Sequence, residues 1–486
     1  MKTKQRQAIV ILTSLFFMWG FITCMNDILI PYLKKIFELS YFQAMLVQFA
    51  FFGAYFIGSL FYLLISLWKD PISVIGYKNG IILGLLVSAV ACLMFYPASQ
   101  MHSYPVFLSA LFVLGIGFTL LQITANPFVA ILGSEETASS RLNLAQGFNS
   151  LGTTIAPIIG GYFIFHFFNK WGTAILNSKG EKILADSGDV ITALGIQIPY
   201  LIFAGIFVLI AIVFYFSKLP EIKQEEGTQD GFRIFKYRHL MLGFVAIFMY
   251  VGAEVSIGSM IINYLGETMG MAEMDAKSFL AFYWGGAMIG RFLGAISLND
   301  KYSKKKKMIS MSLISGLIFV FIFIIVGIEG FMSNGVSMPI STFLPFLGFM
   351  LINLFLFYLA KSSPSKALML FAMANIALLS ATLFFDFSWI MWCVISIGLF
   401  NSIMWSNIFT LAIKDLGKFT AQGSSILIMA ILGGALLPLL QGYLADIIGV
   451  VHSFIVPLIA YLYLLYYGAI GYKVKAPSNK KLILNS

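Results

Sequence analysis

Phe17-Met18-Trp19, inside an apolar run from 8 to 30, returns as Phe248-Met249-Tyr250 inside a second run from 239 to 265. Gly53, Ile57 and Gly58 return as Gly285, Ile289 and Gly290, so both sets repeat at an offset of 231 to 232 residues. Farther along, Gly117, Asn126, Phe128, Gly152, Pro157, Gly161 and Tyr162 recur as Gly398, Asn407, Phe409, Gly433, Pro438, Gly442 and Tyr443, now at an offset of 281. The matches fall on glycine, proline, asparagine and aromatics, which have positional roles where helices pack in a membrane. Two related halves of this kind are the pattern of secondary transporters. The offset grows by 281 − 231 = 50 residues, which places an insertion between the second and fourth helices of the second half.

Composition agrees with a polytopic membrane protein. Residues are 59% hydrophobic and only 11% charged, and the mean hydropathy is +0.91; soluble chains carry about 25% charged residues. Stretches of roughly 20 apolar residues, the length that crosses a bilayer, lie near 8–30, 42–67, 76–97, 104–132, 143–168 and 196–217 in the first half. The second half offers 239–265, 277–298, 307–328, 341–360, 367–385, 389–413, 420–445 and 452–472. The expectation is an all-α membrane protein of 14 transmembrane helices: a six-helix bundle over 1–217, a charged cytoplasmic linker over 218–238, and a second bundle over 239–486. Fifty residues hold two spans and their turns, so the inserted pair preserves the orientation of everything downstream. Spans 307–328 and 367–385 both begin after a lysine, and either suits the original third helix; 307–360 is read as the insertion, a lipid-facing hairpin without transport chemistry.

The net charge of +10 raises nucleic acid as a partner, but its distribution excludes that reading. With the N-terminus in the cytoplasm, 24 of the 31 Lys and Arg fall on the cytoplasmic side, including Lys304 to Lys307, as the positive-inside rule requires. Both termini are then cytoplasmic. Lys2 to Arg6 and the apolar run behind them resemble a signal peptide, but the run exceeds 20 residues and lacks a small-x-small cleavage site, so an uncleaved first helix is expected. Cys24, Cys92 and Cys393 stand singly in apolar spans and the four His sit near span ends, a pattern without metal or redox spacing. No cofactor is expected.

A charge at the bilayer centre costs roughly 2.5 to 3.5 kcal/mol on insertion scales and therefore calls for a reason. Asp27, one turn from Thr23 in the first span, suits reversible protonation in a water-lined cavity; a capping or interhelical role near Pro31 is the competing reading. Glu254, four residues after Tyr250, either faces the cavity or pairs with a neighbouring helix. Asn263 is nine residues farther on, about half a turn away around a straight helix, so both cannot face one cavity unless the helix breaks at Gly258. Thr119, Gln122 and Asn126 share a face of the fourth span, and Gln146, Asn149 and Thr153 share one of the fifth. Amides donate and accept at once, which matches the paired hydroxyls of a sugar; polar glue between helices is the alternative. The second half adds Asn401, Trp405 and Asn407, then Gln422 and Ser425. Trp405 either stacks on the apolar face of a pyranose or packs ordinarily. Arg291, near the cytoplasmic end of its span, pairs with Asp415 in a cytoplasmic gate or snorkels toward water.

Asn26-Asp-Ile-Leu-Ile-Pro31, Gln122-Ile-Thr-Ala-Asn-Pro-Phe128, Arg141-Leu-Asn-Leu-Ala-Gln-Gly-Phe-Asn-Ser150 and Phe400-Asn-Ser-Ile-Met404 resemble the fucose/glucose/galactose permease family of the major facilitator superfamily. The resemblance covers nearly the whole chain outside the insertion. It implies the major facilitator fold, two six-helix bundles related by pseudo-symmetry, a central sugar site, alternating access and ion-coupled symport, with Asp27 matching the family's first-helix acid. In the fucose branch a glutamate stands at the position of Gln122 and an asparagine at that of Cys24; this chain departs at both, which puts a two-carboxylate proton relay in doubt and resembles the glucose/galactose branch.

The expected activity is import of a hexose such as glucose, galactose or fucose across a bacterial inner membrane by a monomeric, non-enzymatic transporter. Protonation of Asp27 accompanies sugar binding to Gln122, Gln146 and Asn149, and the coupling ion is H⁺ or Na⁺. An uncoupled facilitator, an N-acetylhexosamine carrier and a sugar sensor are rivals. An intramembrane enzyme is disfavoured, because the chain has no Asp-rich metal motif and no catalytic pair of acids.

Overall fold

The structure is a computed structural model that describes residues 3–39, 41–162, 168–175, 182–183, 190–217, 219, 231–271, 273–299, 302–334, 340–385 and 389–474. Apolar segments in hydrocarbon must pair their own backbone groups, and helices do so within one segment. The first half forms α1 (Thr3–Ile36), α2 (Tyr41–Ser66), α3 (Pro71–Gln100), α4 (Tyr104–Ile131), α5 (Ala138–Tyr162) and α6 (Leu194–Phe216). The second forms α7 (Arg238–Met269), α8 (Glu273–Ser297), α9 (Lys304–Asn334), α10 (Leu344–Ala360) and α11 (Pro364–Phe384), then α12 (Met391–Asn401), α13 (Met404–Ala412), α14 (Thr420–Met429), α15 (Gly433–Ile448), α16 (Val450–Ser453) and α17 (Ile455–Tyr466). Helix α12 continues into α13, α14 into α15 and α16 into α17, so these eleven elements make eight crossings. Among the described residues twelve helices are long and apolar enough to span a membrane; α5, with 25 residues, and α10, with 17, bring the crossings to the expected fourteen.

Local chemistry sets several helix starts. The Asp70 side chain accepts from Ile72 N at 3.0 Å with Pro71 following, and Ser363 accepts from Lys366 N with Pro364 following. Proline in a first turn forfeits no helical hydrogen bond.

The chain divides into two compact units, Met1–Val129 with Phe148–Gln224, and Ala130–Gly147 with Glu225–Ser486. The first ten residues of α5 thus belong to the second unit. In the first unit α3 lies along α6: Phe95 stacks on Tyr200 with ring centres 3.7 Å apart, and Lys78 Nζ donates to the final carbonyls of α6, Tyr215 O at 2.8 Å and Ser217 O at 2.9 Å. A Cβ on Gly152 of α5 would overlap the Phe17 carbonyl oxygen of α1. In the second unit the partners given by the repeat meet in the same way, since a Cβ on Gly433 of α15 would overlap the Phe248 carbonyl oxygen of α7.

Helix α11 packs against α17 and α12, while α9 lies against α8, and α10 against α8, α11 and α12. Phe282 of α8 stacks on Phe343 at 4.4 Å and meets Phe319, Phe346 and Trp392. The repeat partners Gly53 and Gly285 differ here. A side chain at Gly53 would meet nothing within 4 Å, whereas Gly285 is covered by Ile322 of α9.

Candidate functional site

In the first unit a buried polar strip draws on three helices. The Tyr55 hydroxyl of α2 faces the side chains of Trp19, on α1, and Gln122, on α4. Asn126, one turn after Gln122, donates from Nδ2 to Gln122 Oε1 at 2.7 Å. All four residues are buried. The spacing of Gln122 and Asn126 was legible in the sequence; Tyr55 was not, because nothing in its own helix pairs with it. Thr119 turns back to Gly115 O at 2.8 Å, the ordinary fate of a hydroxyl within a helix. Asn149 donates to Phe16 O at 3.1 Å and so spends its donor on holding α5 to α1. Asp27 lies on α1, and its side chain falls outside the described residues.

The second unit holds a larger polar network. Arg291 Nη2 of α8 lies 3.5 Å from Glu254 Oε1 of α7, with their side chains only 13% and 11% exposed. The same oxygen accepts from Tyr250 OH at 2.7 Å, the i to i + 4 spacing that puts both on one face of α7. Tyr283 OH donates to the Glu254 carbonyl at 2.8 Å and accepts from Asn401 Nδ2 at 3.0 Å. Asn401 Oδ1 accepts from Tyr461 OH at 2.6 Å and from Asn375 Nδ2 at 2.9 Å. Five helices therefore converge on one buried chain of hydrogen bonds, and Asn401 sits at its centre. Asn263 is exposed on the far side of α7, with Nδ2 3.9 Å from Met260 Sδ, as its half-turn separation from Glu254 requires.

Arg291, which the sequence offered either as a partner of Asp415 or as a snorkelling side chain, lies in this structure against Glu254 and Ser402. Asp415 sits in the turn after α13 with a left-handed φ of 56°, near Lys414 and His239. Sequence position put both groups near the same membrane face, but only tertiary packing reveals that Arg291 projects toward α7.

Gln146 is buried on the α5 segment that belongs to the second unit. Around it, Asn143 Nδ2 lies 3.4 Å from Asn407 Oδ1, Ser139 Oγ meets Thr410 Oγ1, and Ser140 Oγ donates to Ala295 O. Arg141 folds back to donate to the carbonyls of Ser134 and Ala130, which clasps the α4–α5 connection. At its edge Lys414 Nζ contacts Glu135 Oε1 at 2.9 Å, and that bond holds the ammonium above its usual pKa. Gln422 and Ser425 are fully or nearly fully buried on α14. Trp405 stacks on Phe409, and its Nε1 is buried without a hydrogen-bond partner. Among the described residues no group of three or more His, Cys, Asp or Glu is placed to hold a metal ion.

Comparison with known proteins follows the same lines. Residues 10–344 match the family model described as Major Facilitator Superfamily. A glucose/galactose transporter of Brucella abortus biovar 1 (strain 9-941) is 40% identical, over 96% of this chain and 94% of its own length. A putative glucose/galactose transporter of Helicobacter pylori (strain ATCC 700392 / 26695) is 36% identical, over 97% and 98%. A crystal structure of the Escherichia coli fucose:proton symporter FucP aligns with a TM-score of 0.72 and 25% identity, covering 96% of this chain and 99% of that one. A duplicated helical bundle, a buried amide strip and relatives aligned from end to end agree: this chain belongs to the major facilitator superfamily, in its fucose/glucose/galactose permease family, and is a multi-pass membrane transporter.

Proposed function

We propose that the protein imports a hexose such as glucose or galactose together with a proton. The observation that carries this reading is the buried strip Trp19, Tyr55, Gln122 and Asn126, which offers amide and phenol groups beside an indole. Sugars present paired hydroxyls on an apolar ring, and such a strip matches both. The names of the relatives support the substrate class. In the second unit Glu254, Asn401, Gln422 and Trp405 contribute donors and acceptors, and Trp405 Nε1 is a donor that a sugar hydroxyl would satisfy. Gln146 and Asn149 belong to the same set; Asn149 also ties α5 to α1.

Asp27 carries the proton. Gln122 does not titrate, so one carboxyl serves where the fucose branch has two. One charge moved through 100 mV is worth about 2.3 kcal/mol, and a tenfold concentration ratio about 1.4, so one proton supports accumulation of about fortyfold. The charge asymmetry supports cytoplasmic termini and a bacterial inner membrane. A single chain contains all the proposed residues, in keeping with a monomer.

Helices α9 and α10 are the inserted hairpin in this reading. The α3–α6 packing of the first unit has its counterpart in α11 against α17, which leaves α9–α10 without an equivalent.

The test is uptake of labelled glucose, galactose, fucose and N-acetylglucosamine into proteoliposomes, with and without Na⁺, under an imposed pH step. Saturable, proton-driven uptake of a hexose that Asp27→Asn reduces to equilibration is expected. Undiminished accumulation by that variant would remove Asp27 from the coupling step, and dependence on Na⁺ alone would replace the proton.

A further inference from the structure

Helix α10 is apolar almost throughout, yet its single amide points inward. Asn353 is 0% exposed and donates from Nδ2 to Leu399 O at 3.1 Å. An appendage that only met lipid would have no use for a buried amide, because its desolvation is costly. Leu399 stands where α12 gives way to α13, and Ile403 there has φ −96° and ψ −5°, far from the ψ of about −42° of a regular helix. The carbonyls at this junction are held by side chains. Leu399 O also accepts from Ser402 Oγ at 2.7 Å, and Ser402 O accepts from Arg291 Nε at 3.3 Å. Arg291 in turn faces Glu254.

We propose that Asn353 is a positioning residue for the Glu254–Arg291 pair. By occupying the Leu399 carbonyl it keeps the α12–α13 junction open, and the open junction turns the Ser402 carbonyl toward Arg291. The guanidinium is then gripped at Nε by Ser402 and at Nη2 by Glu254, which sets the orientation of the carboxylate. The α9–α10 hairpin, docked on α8 through Ile322 and Gly285, thereby acts on substrate handling in the second unit. This inference rests on the reading of Glu254 as a sugar-contacting residue.

The experiment uses the full chain in proteoliposomes and reads KM and Vmax for labelled glucose and galactose. Asn353→Leu, which removes the donor while keeping the branched shape, raises KM about tenfold, the equivalent of about 1.4 kcal/mol, with Vmax and thermal stability held. Asn353→Gln, which retains a donor, restores most of the affinity. Arg291→Lys keeps the charge and loses the Nε bond to Ser402, so adding Asn353→Leu to it changes KM less than twofold. If the leucine variant fails to insert, Asn353→Ala takes its place. An unchanged KM, a loss confined to Vmax or stability, or full multiplication of the two effects overturns the proposal. Absence of saturable uptake by the unaltered protein sinks the sugar reading itself, whereas saturable uptake with an unchanged KM in the variant sinks only the role of Asn353.

Discussion

Replacing Glu254 by glutamine removes one charge from a pair while keeping nearly the same shape. Gln still offers an oxygen to Tyr250, so the change isolates the charge. At an effective dielectric constant of about 20, unit charges 3.5 Å apart attract by about 5 kcal/mol. Removing one partner of a buried pair costs about 3 to 5 kcal/mol, because the other is left uncompensated. Side-chain exposures of 13% and 11% admit some water and place the expectation at the lower end, about 3 kcal/mol. Arg291→Gln alone costs a similar amount, and the double variant returns to within about 1 kcal/mol of the unaltered protein, since no orphan charge remains. Unfolding in mixed detergent and SDS micelles, followed by tryptophan fluorescence, measures all four proteins. If Glu254→Gln unfolds with the unaltered protein, the two groups are not a functional pair. If the double variant is no better than the worse single one, the loss is one of packing and the electrostatic account is wrong.

Tyr55→Phe deletes the hydroxyl that faces Trp19 and Gln122; KM for the transported hexose rises about three- to tenfold, on the scale of one hydrogen bond, and an unchanged KM would take the strip out of the site. Gly433→Ala drives a methyl into the Phe248 carbonyl and lowers stability by about 1 to 3 kcal/mol, whereas Gly53→Ala, facing open space, is neutral or stabilising by up to about 1 kcal/mol; thermal unfolding of the two in parallel checks the contrast.

The crossings were legible in the sequence because their cause is local: about twenty apolar residues in a row leave little choice of conformation. The i to i + 4 contact of Gln122 with Asn126 was legible for the same reason. What a residue meets on another helix was not. Arg291 and Glu254 are 37 residues apart, and nothing in either span names the other. Asn149 had the spacing of a sugar ligand, but the close approach of α1 and α5 at Gly152 brings the Phe16 carbonyl within reach of its amide. The α12–α13 junction carries no proline or glycine between Asn401 and Met404; side-chain donors from α8 and α10 mark it instead, and these appear only when the helices are assembled.

The unequal surroundings of Gly53 and Gly285 mark where the internal symmetry lapses. Gly152 and Gly433 make one backbone contact in both halves, so there the resemblance of the halves reaches down to single atoms. A Cβ at Gly53 meets nothing within 4 Å, whereas Ile322 fills that space at Gly285. A methyl added at either member of the first pair is felt alike in both halves, and one added at the second pair is felt in only one of them.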